Sequence, residues 1–245
     1  MIAPRYVIDS IPSLIYSLLY LVYFLYTGDQ IRSDPALSFY AMFDPANKGQ
    51  ALEIKCFPRG SVRINTLMTE LHKLFFEFKN LFSNAFEVRF LTTLKDDEAC
   101  IVICYKKPLS AGWQAEAEEV SKRLNAKIIG RARKMKQVAG GGEEITEELT
   151  IKGRQLKYLQ TEGAFSQPNG KVCEKMITWA MDCTDNVLSK ETDLLELYCG
   201  GGTFTAALAS NFRKVLATEL SKASVALANA TFKLNAIENI QIGEE

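Results

Sequence analysis

Three consecutive glycines, Gly200 to Gly202, stand between an apolar run and a helical pattern in the last quarter of the chain. Glycine adopts positive φ and lets a ligand approach the backbone with no Cβ in the way. Glu219 stands where the next apolar run ends. A carboxylate at that position can accept hydrogen bonds from both hydroxyls of a ribose. Together the two features predict a pocket for a nucleotide or an adenosyl cofactor.

The residues around the glycines favour one cofactor over another. A dinucleotide site prefers the pattern GxGxxG, but Thr205 occupies the third glycine position. A dinucleotide also brings a pyrophosphate to the helix N-terminus, whereas S-adenosylmethionine brings a sulfonium and an amino acid. The acidic Glu196, just ahead of the glycines, favours the cationic ligand. The pattern therefore predicts S-adenosylmethionine and a methyltransferase, with a dehydrogenase as the alternative.

Alternating strands and helices are expected to position this turn. The predicted elements are strands at Asp193–Tyr198, Lys214–Thr218 and Ile240–Ile242, with helices at Lys171–Val187, Thr203–Asn211 and from a Ser221 cap to Asn235. Strands and helices that alternate at this spacing indicate right-handed βαβ crossovers and a parallel sheet. The predicted fold is α/β, a partial Rossmann-like methyltransferase sheet preceded by a smaller α+β domain.

The smaller domain is predicted from patterns upstream. We expect strands at Ala51–Phe57, Val88–Leu94, Ala99–Tyr105 and Lys127–Ile129, and helices at Val62–Leu81 and Trp113–Leu124. His72, beside the apolar stripe of the first helix, is interpreted as structural. The expected division is an atypical apolar segment over 1–37, the α+β domain over 38–160, and the first half of the cofactor domain over 161–245.

A basic run follows the last of these strands. It consists of Arg131, Arg133, Lys134 and Lys136. Such a run is either a solvated loop or a patch that contacts RNA phosphates. Gly140 to Gly142 come next, and they are interpreted as a hairpin tip.

The segment from Ile11 to Tyr26 contains no charged residue. As a helix it would rise about 24 Å, short of the roughly 30 Å hydrocarbon core of a bilayer. A membrane anchor, the apolar region of a signal sequence and an aberrant N-terminus remain alternatives. We expect a cytoplasmic protein, with organellar and membrane-anchored locations left open.

The composition excludes several kinds of chemistry. The chain has 29 basic and 29 acidic residues, so any nucleic-acid binding must come from local patches. Its six cysteines include no CxxC pair, and there is one histidine. We therefore expect reduced thiols, no metal site and no Ser-His-Asp or Cys-His mechanism.

Two longer motifs carry a family resemblance. LLELYCGGGTF, followed by VLATELSKASV, resembles the methyltransferase core of the tRNA (uracil-5-)-methyltransferases, the TrmA family. FSQPN at 165–169, FLTTL at 90–94, IIGRARKMK at 128–136 and the FD at 43–44 occur in the same order as in that family. The similarity covers roughly residues 38 to 245.

The resemblance implies an S-adenosylmethionine-dependent methylation of uridine C5 in the tRNA T loop. Gln167, Tyr198 and Glu219 match the family's cofactor contacts, and Gly200, Gly202 and Thr203 complete the predicted site. Many members carry asparagine where this chain has Thr203. The 38–160 domain is then expected to recognise RNA, with tRNA as the partner.

The family's chemistry also requires a cysteine thiolate that adds to uracil C6 and a glutamate base. The resemblance places both after the third strand, beyond Glu245, so we expect no catalytic residue within the chain and no turnover by it alone. We also expect the LLELY strand to lie at an unpaired sheet edge. A non-catalytic RNA-binding fragment and a methyltransferase for ribosomal RNA are the alternatives.

Overall fold

A computed structural model describes residues 18–25, 40–43, 51–95, 97–185 and 191–243. The strands are β1 (Leu18–Leu25), β2 (Tyr40–Phe43), β3 (Ala51–Glu53), β4 (Ala85–Thr92), β5 (Ala99–Tyr105), β6 (Lys127–Ala132), β7 (Met135–Ala139), β8 (Ile145–Ile151), β9 (Arg154–Gln160), β10 (Leu194–Glu196), β11 (Val215–Thr218) and β12 (Ile240–Gly243). The helices are α1 (Val62–Leu74), α2 (Lys79–Phe82), α3 (Trp113–Leu124), α4 (Gly170–Asp185), α5 (Thr203–Leu208) and α6 (Lys222–Leu234).

The first core is built on a seven-stranded sheet in the order β3-β2-β1-β4-β5-β6-β7. Helix α1 covers one face, and its buried stripe has the helical 3–4 spacing predicted from the sequence: Ile64, Leu67, Met68 and Leu71. The predicted strands β4 and β5 pair antiparallel, and α3 forms the crossover to the parallel strand β6. The predicted α+β organisation is confirmed for these elements.

Two predicted elements are shorter than expected. The helix predicted over 62–81 ends at Leu74, because the chain turns there and stacks the rings of Phe75 and Phe82 at 4.0 Å before the short helix α2. The strand predicted over 51–57 ends at Glu53. The side chain of Asn65 instead bonds the backbone of Phe57, accepting from its N–H at 2.6 Å and donating to its carbonyl at 3.0 Å.

Part of the apolar N-terminal segment belongs to the same sheet. Residues 18–25 form β1, which pairs antiparallel with β4, so a strand replaces the helix considered for this part. The rest of the 11–26 segment lies outside the described residues. Within the described ranges, the helices are too short or too polar for any of them to traverse a bilayer.

The glycines at 140–142 do not form the predicted hairpin tip. They connect β7 of the seven-stranded sheet to β8 of a separate two-stranded sheet. All three have positive φ, which suits glycine at a change of direction between sheets.

The second core lies under the hairpin of β8 and β9, which the sequence patterns did not predict. Leu149, Ile151, Leu156 and Tyr158 of the hairpin pack with residues of α4, α5 and α6. Strands β10, β11 and β12 form the parallel sheet expected for βαβ crossovers. The hairpin precedes residue 160, but it shares a core with elements that follow that residue. The domain division at residue 160 stays a prediction.

Candidate functional site

The glycine turn connects β10 to α5 along a strained backbone path. Tyr198, Gly200 and Gly202 have φ of 58°, 57° and 77°. The N–H of Cys199 donates to the carbonyl of Thr218 at 2.9 Å and ties the turn to β11. The turn is thus held at the carboxyl edge of the parallel sheet, where ligands bind in open α/β folds.

Two glycines of the turn have different neighbours. A Cβ on Gly202 would lie 2.6 Å from the ring of Phe232 on α6, so this glycine allows helix α6 to pack closely. A Cβ on Gly200 would meet nothing within 4 Å. The space over Gly200 is therefore open to a ligand that approaches the backbone.

Glu219 lies beside this open space, immediately after β11. Its Oε2 accepts from the N–H of Gly200 at 3.0 Å, and its Oε1 accepts from the N–H of Ser221 at 2.8 Å. Each carboxylate oxygen has further acceptor capacity after one such bond. The carboxylate is thereby oriented by the backbone and can still accept the two hydroxyls of a ribose.

A pocket next to the turn brings two other predicted residues together. Gln167 and Thr203 both line it, with Gly201 of the turn. The opposite wall comes from the β8–β9 hairpin, α4 and the loop before α4, and includes Glu147, Leu149, Tyr158, Phe165 and Cys173. Tyr198 does not line this pocket, and its side chain is 79% exposed.

The sequence around Gln167 explains why its loop ends where it does. Asn169 caps α4, with its Oδ1 accepting from the N–H of Val172 at 2.9 Å. A Cβ on Gly170 would lie 2.7 Å from the side chain of Leu94, so glycine lets the first turn of α4 pack against the loop after β4. Gln167 is therefore held just ahead of a capped and closely packed helix start.

Glu196 is the last residue of β10, just before the turn, and one of its carboxylate oxygens has no hydrogen-bond partner among the described residues. Its Oε2 is buried and makes no hydrogen bond to any described residue. Burial raises the pKa of this carboxyl, and the hydroxyl of Thr205 lowers it in part. The unused acceptor, the open Gly200 backbone and the oriented Glu219 carboxylate together fit a ligand with a ribose and hydrogen-bond donors, as an adenosyl cofactor has.

Glu147 is a buried pocket residue that the sequence patterns missed. It is only 2% exposed, and its oxygens accept from the N–H of Leu94 at 3.1 Å and of Glu148 at 2.9 Å. Burial raises its pKa to about 7, although these backbone bonds oppose the shift. In the sequence it belongs to a run of four glutamates after the glycines at 140–142, namely Glu143, Glu144, Glu147 and Glu148, and such a charge run is ordinarily solvated. The sequence signal was its phase, because Glu147 alternates with Ile145, Leu149 and Ile151, the apolar residues on the buried face of β8.

The buried cysteines are held as neutral thiols. Burial raises the pKa of Cys199 to about 11, and the pKa values of Cys100 and Cys173 to about 12. The thiolate is the nucleophilic form, so these three side chains are poor nucleophiles near neutral pH. Among the residues that the structure describes, no group of three or more His, Cys, Asp or Glu side chains is arranged to hold a metal.

The basic run lies on the β6–β7 hairpin. Arg131 forms an ion pair with Glu162, and Lys136 forms one with Glu143. Arg133 and Lys134 are exposed at the turn between the two strands, where Lys134 has φ of 57°. Two of the four predicted RNA contacts are thus engaged within the protein, and the other two project at the hairpin tip.

The parallel sheet, its βαβ crossovers and the glycine turn at its carboxyl edge define a Rossmann-like fold of the methyltransferase class. A family model described as tRNA (Uracil-5-)-methyltransferase matches residues 29–244. The chain therefore belongs to the tRNA (uracil-5-)-methyltransferase family, as its motifs predicted.

Similar proteins agree with this assignment. Proteins named tRNA/tmRNA (uracil-C(5))-methyltransferase from Ectopseudomonas mendocina and Azotobacter vinelandii are each 45% identical over 203 residues. Each match covers 83% of this chain and 55% of the relative, so the chain spans about half the length of the curated relatives it matches. The crystal structure of Pyrococcus abyssi tRNA (uracil-54, C5)-methyltransferase, in complex with S-adenosyl-L-homocysteine, has the same fold, with a TM-score of 0.63 and 14% identity over 80% of this chain and 50% of that one.

Proposed function

We propose that this chain binds S-adenosylmethionine at the glycine turn and acts in the methylation of uridine C5 in tRNA, at a T-loop uridine. The observation that carries the proposal is the Glu219 carboxylate, oriented by the backbone of Gly200 beside an open approach to the turn. The names of the relatives supply the substrate class, and the Pyrococcus abyssi structure supplies the cofactor class.

The residues of this chain would bind and orient the donor. Bound S-adenosylmethionine supplies an electrophilic methyl group. Glu219 would accept the ribose hydroxyls, and Gln167 and Thr203 would offer amide and hydroxyl groups from the adjacent pocket. Tyr198 would contribute an aromatic face from its exposed position. We assign no nucleophile within the described residues, because burial keeps Cys100, Cys173 and Cys199 as neutral thiols and the exposed Cys56 and Cys183 do not line the pocket.

The donor site is tested by calorimetry with S-adenosylhomocysteine. Glu219→Gln keeps the shape but removes the negative charge and one acceptor, so we expect affinity to fall about tenfold or more. Glu238→Gln is the matched control, because Glu238 is exposed near the opposite end of the parallel strands. Equal affinities in the two variants would count against the site. No binding by the folded chain would favour the non-catalytic RNA-binding alternative.

We further propose that Arg133 and Lys134, exposed at the tip of the hairpin that also carries Arg131 and Lys136, contact tRNA phosphates. Replacing Arg133 and Lys134 by alanine should weaken tRNA binding and reduce the slope of log affinity against log salt by about 2. Lys106→Ala with Lys107→Ala removes the same charge after β5 and serves as the control. If tRNA affinity falls no more than it does in the control, the hairpin tip is a solvated surface and not an RNA contact.

Two finer assignments have separate support. The choice of tRNA over ribosomal RNA follows the names of the relatives, and competition between a tRNA transcript and a ribosomal RNA stem-loop tests it. A cytoplasmic location agrees with six cysteines that are all free. Fluorescent tagging of the protein in its own cells would check that location.

A further inference from the structure

A buried carboxyl group holds the loop that carries Gln167. The side chain of Glu162 is 3% exposed, and each of its oxygens meets a different guanidinium. Its Oε1 accepts from Nη1 of Arg89 at 3.1 Å, and its Oε2 accepts from Nη2 of Arg131. A buried carboxylate needs such compensation, because burial of an unpaired charge is strongly unfavourable.

The two arginines belong to the sheet of the first core. Arg89 lies on β4 and Arg131 on β6, the two strands that flank β5. Arg89 is also paired with Glu87, whose side chain is 11% exposed. The Arg89 guanidinium is therefore held by Glu87 as well as by Glu162, whereas Arg131 is placed by its strand and bonds Glu162.

Glu162 lies at the beginning of the loop between β9 and α4, and this loop is fixed at both ends. At its start, Glu162 is held by the arginines, and the N–H of Ala164 donates to the carbonyl of Thr161 in a turn. At its end, Asn169 caps α4. Gln167 and Phe165, which line the pocket, stand between these two anchors.

We propose that Arg131 is a positioning residue for the cofactor pocket: together with Arg89 it binds Glu162 and thereby fixes the loop that presents Gln167. This inference rests on the proposed donor site. It gives Arg131 a structural role that its neighbours in the basic run do not have. Arg133 and Lys134 project beyond the sheet, whereas the guanidinium of Arg131 already bonds a buried carboxylate. The side chain of Arg131 is 44% exposed and its bond to Glu162 uses one of five N–H donors, so the experiment must also distinguish positioning of the loop from a phosphate contact.

The test compares Arg131→Ala and Glu162→Gln with Arg133→Ala, the matched control two residues away. We expect both loop variants to weaken S-adenosylhomocysteine binding about tenfold. The combination of both should lose little more than either one, because they break the same bond. Arg131→Lys should recover part of the affinity, and Arg133→Ala should bind as the unchanged chain does.

Hydrogen exchange gives a readout that does not depend on the cofactor. Backbone amides of residues 161–169 should exchange faster in Arg131→Ala and Glu162→Gln than in Arg133→Ala, with amides of β5 unchanged as the folding control. If Arg131→Ala matches Arg133→Ala in exchange, the inference is overturned, whether or not the chain binds the ligand. A loss of tRNA affinity and salt slope with unchanged S-adenosylhomocysteine binding would likewise overturn it and identify a phosphate contact. Absence of ligand binding by the unsubstituted chain would instead refute the donor site.

Discussion

At the scale of single residues, Glu147 links the pocket beside the glycine turn to the pH dependence of folding. It is buried at the pocket wall and bonds the backbone of Leu94, in the loop after β4. Burial raises its pKa from the ordinary 4.5 to about 7. The folded protein therefore retains this proton over a pH range in which the unfolded chain has released it.

The sign of the effect follows from proton linkage. Because the folded state binds more protons than the unfolded state between about pH 4.5 and pH 7, the free energy of unfolding falls as pH rises through that window. Across this window Glu147 lowers the free energy of unfolding by about 3 kcal/mol in total. Above about pH 7 this loss stays constant. We expect Glu147→Gln to flatten this fall in urea unfolding measured between pH 5 and pH 8. Glu144→Gln, at an exposed position of the same charge run, should keep it; equal slopes in both variants would contradict the assignment.

The two glutamates of the site show what the sequence can and cannot disclose at this scale. Glu219 was predicted because its place after a strand and near a glycine turn has a chemical meaning by itself. Glu147 was not, because a glutamate within a charge run is ordinarily solvated. Its burial depends on the hairpin partner β9 and on α4, which come from distant sequence.

At the scale of elements, the glycine turn separates packing from ligand approach. Gly202→Ala would place a Cβ 2.6 Å from the ring of Phe232, at a φ of 77°. We expect it to lower the free energy of unfolding by about 3 kcal/mol, since both the clash and the backbone conformation oppose it. Gly200→Ala meets open space and should cost about 1 kcal/mol.

Ligand binding should rank the two glycine variants in the opposite order. The methyl group of Gly200→Ala occupies the approach to the turn. Gly200→Ala should therefore lower S-adenosylhomocysteine affinity more than Gly202→Ala does, although it lowers stability less. Thermal unfolding and calorimetry on the same samples measure both quantities. A Gly200→Ala variant as unstable as Gly202→Ala, with unchanged affinity, would assign both glycines to packing alone.

The elements near the turn were the most predictable from sequence. The βαβ order, the Ser221 cap and the strand at Ile240 are all present, and the hydroxyl of Ser221 accepts from the N–H of Ser224 at 3.3 Å. Local signals determine these features. The break in α1 and the β8–β9 hairpin were missed, because stacking of Phe75 on Phe82 and packing of the hairpin on three helices are tertiary effects that no local period encodes.

At the scale of the whole molecule, the residues that the structure describes cover one face of the parallel sheet. Val215, with Leu194 and Ile240 beside it, faces the second core. The next residue of each strand faces outward, and the register aligns Leu195, Leu216 and Gln241 in one row. Parallel sheets are ordinarily buried on both faces. Strand β10 pairs with β11 alone among the described strands, so the predicted sheet edge is present as well.

The exposed face of this sheet should make these 245 residues self-associate when they are prepared on their own. Leu195 and Leu216 are 59% and 44% exposed, and Leu197 and Leu220 nearby are 57% and 69% exposed. A contiguous apolar patch beside an open strand edge favours association. Leu195→Glu with Leu216→Lys should shift sedimentation velocity profiles toward the monomer at equal concentration. Val62→Lys is the control, since Val62 is 80% exposed at the start of α1, away from this sheet. If all forms sediment alike, association does not involve this face.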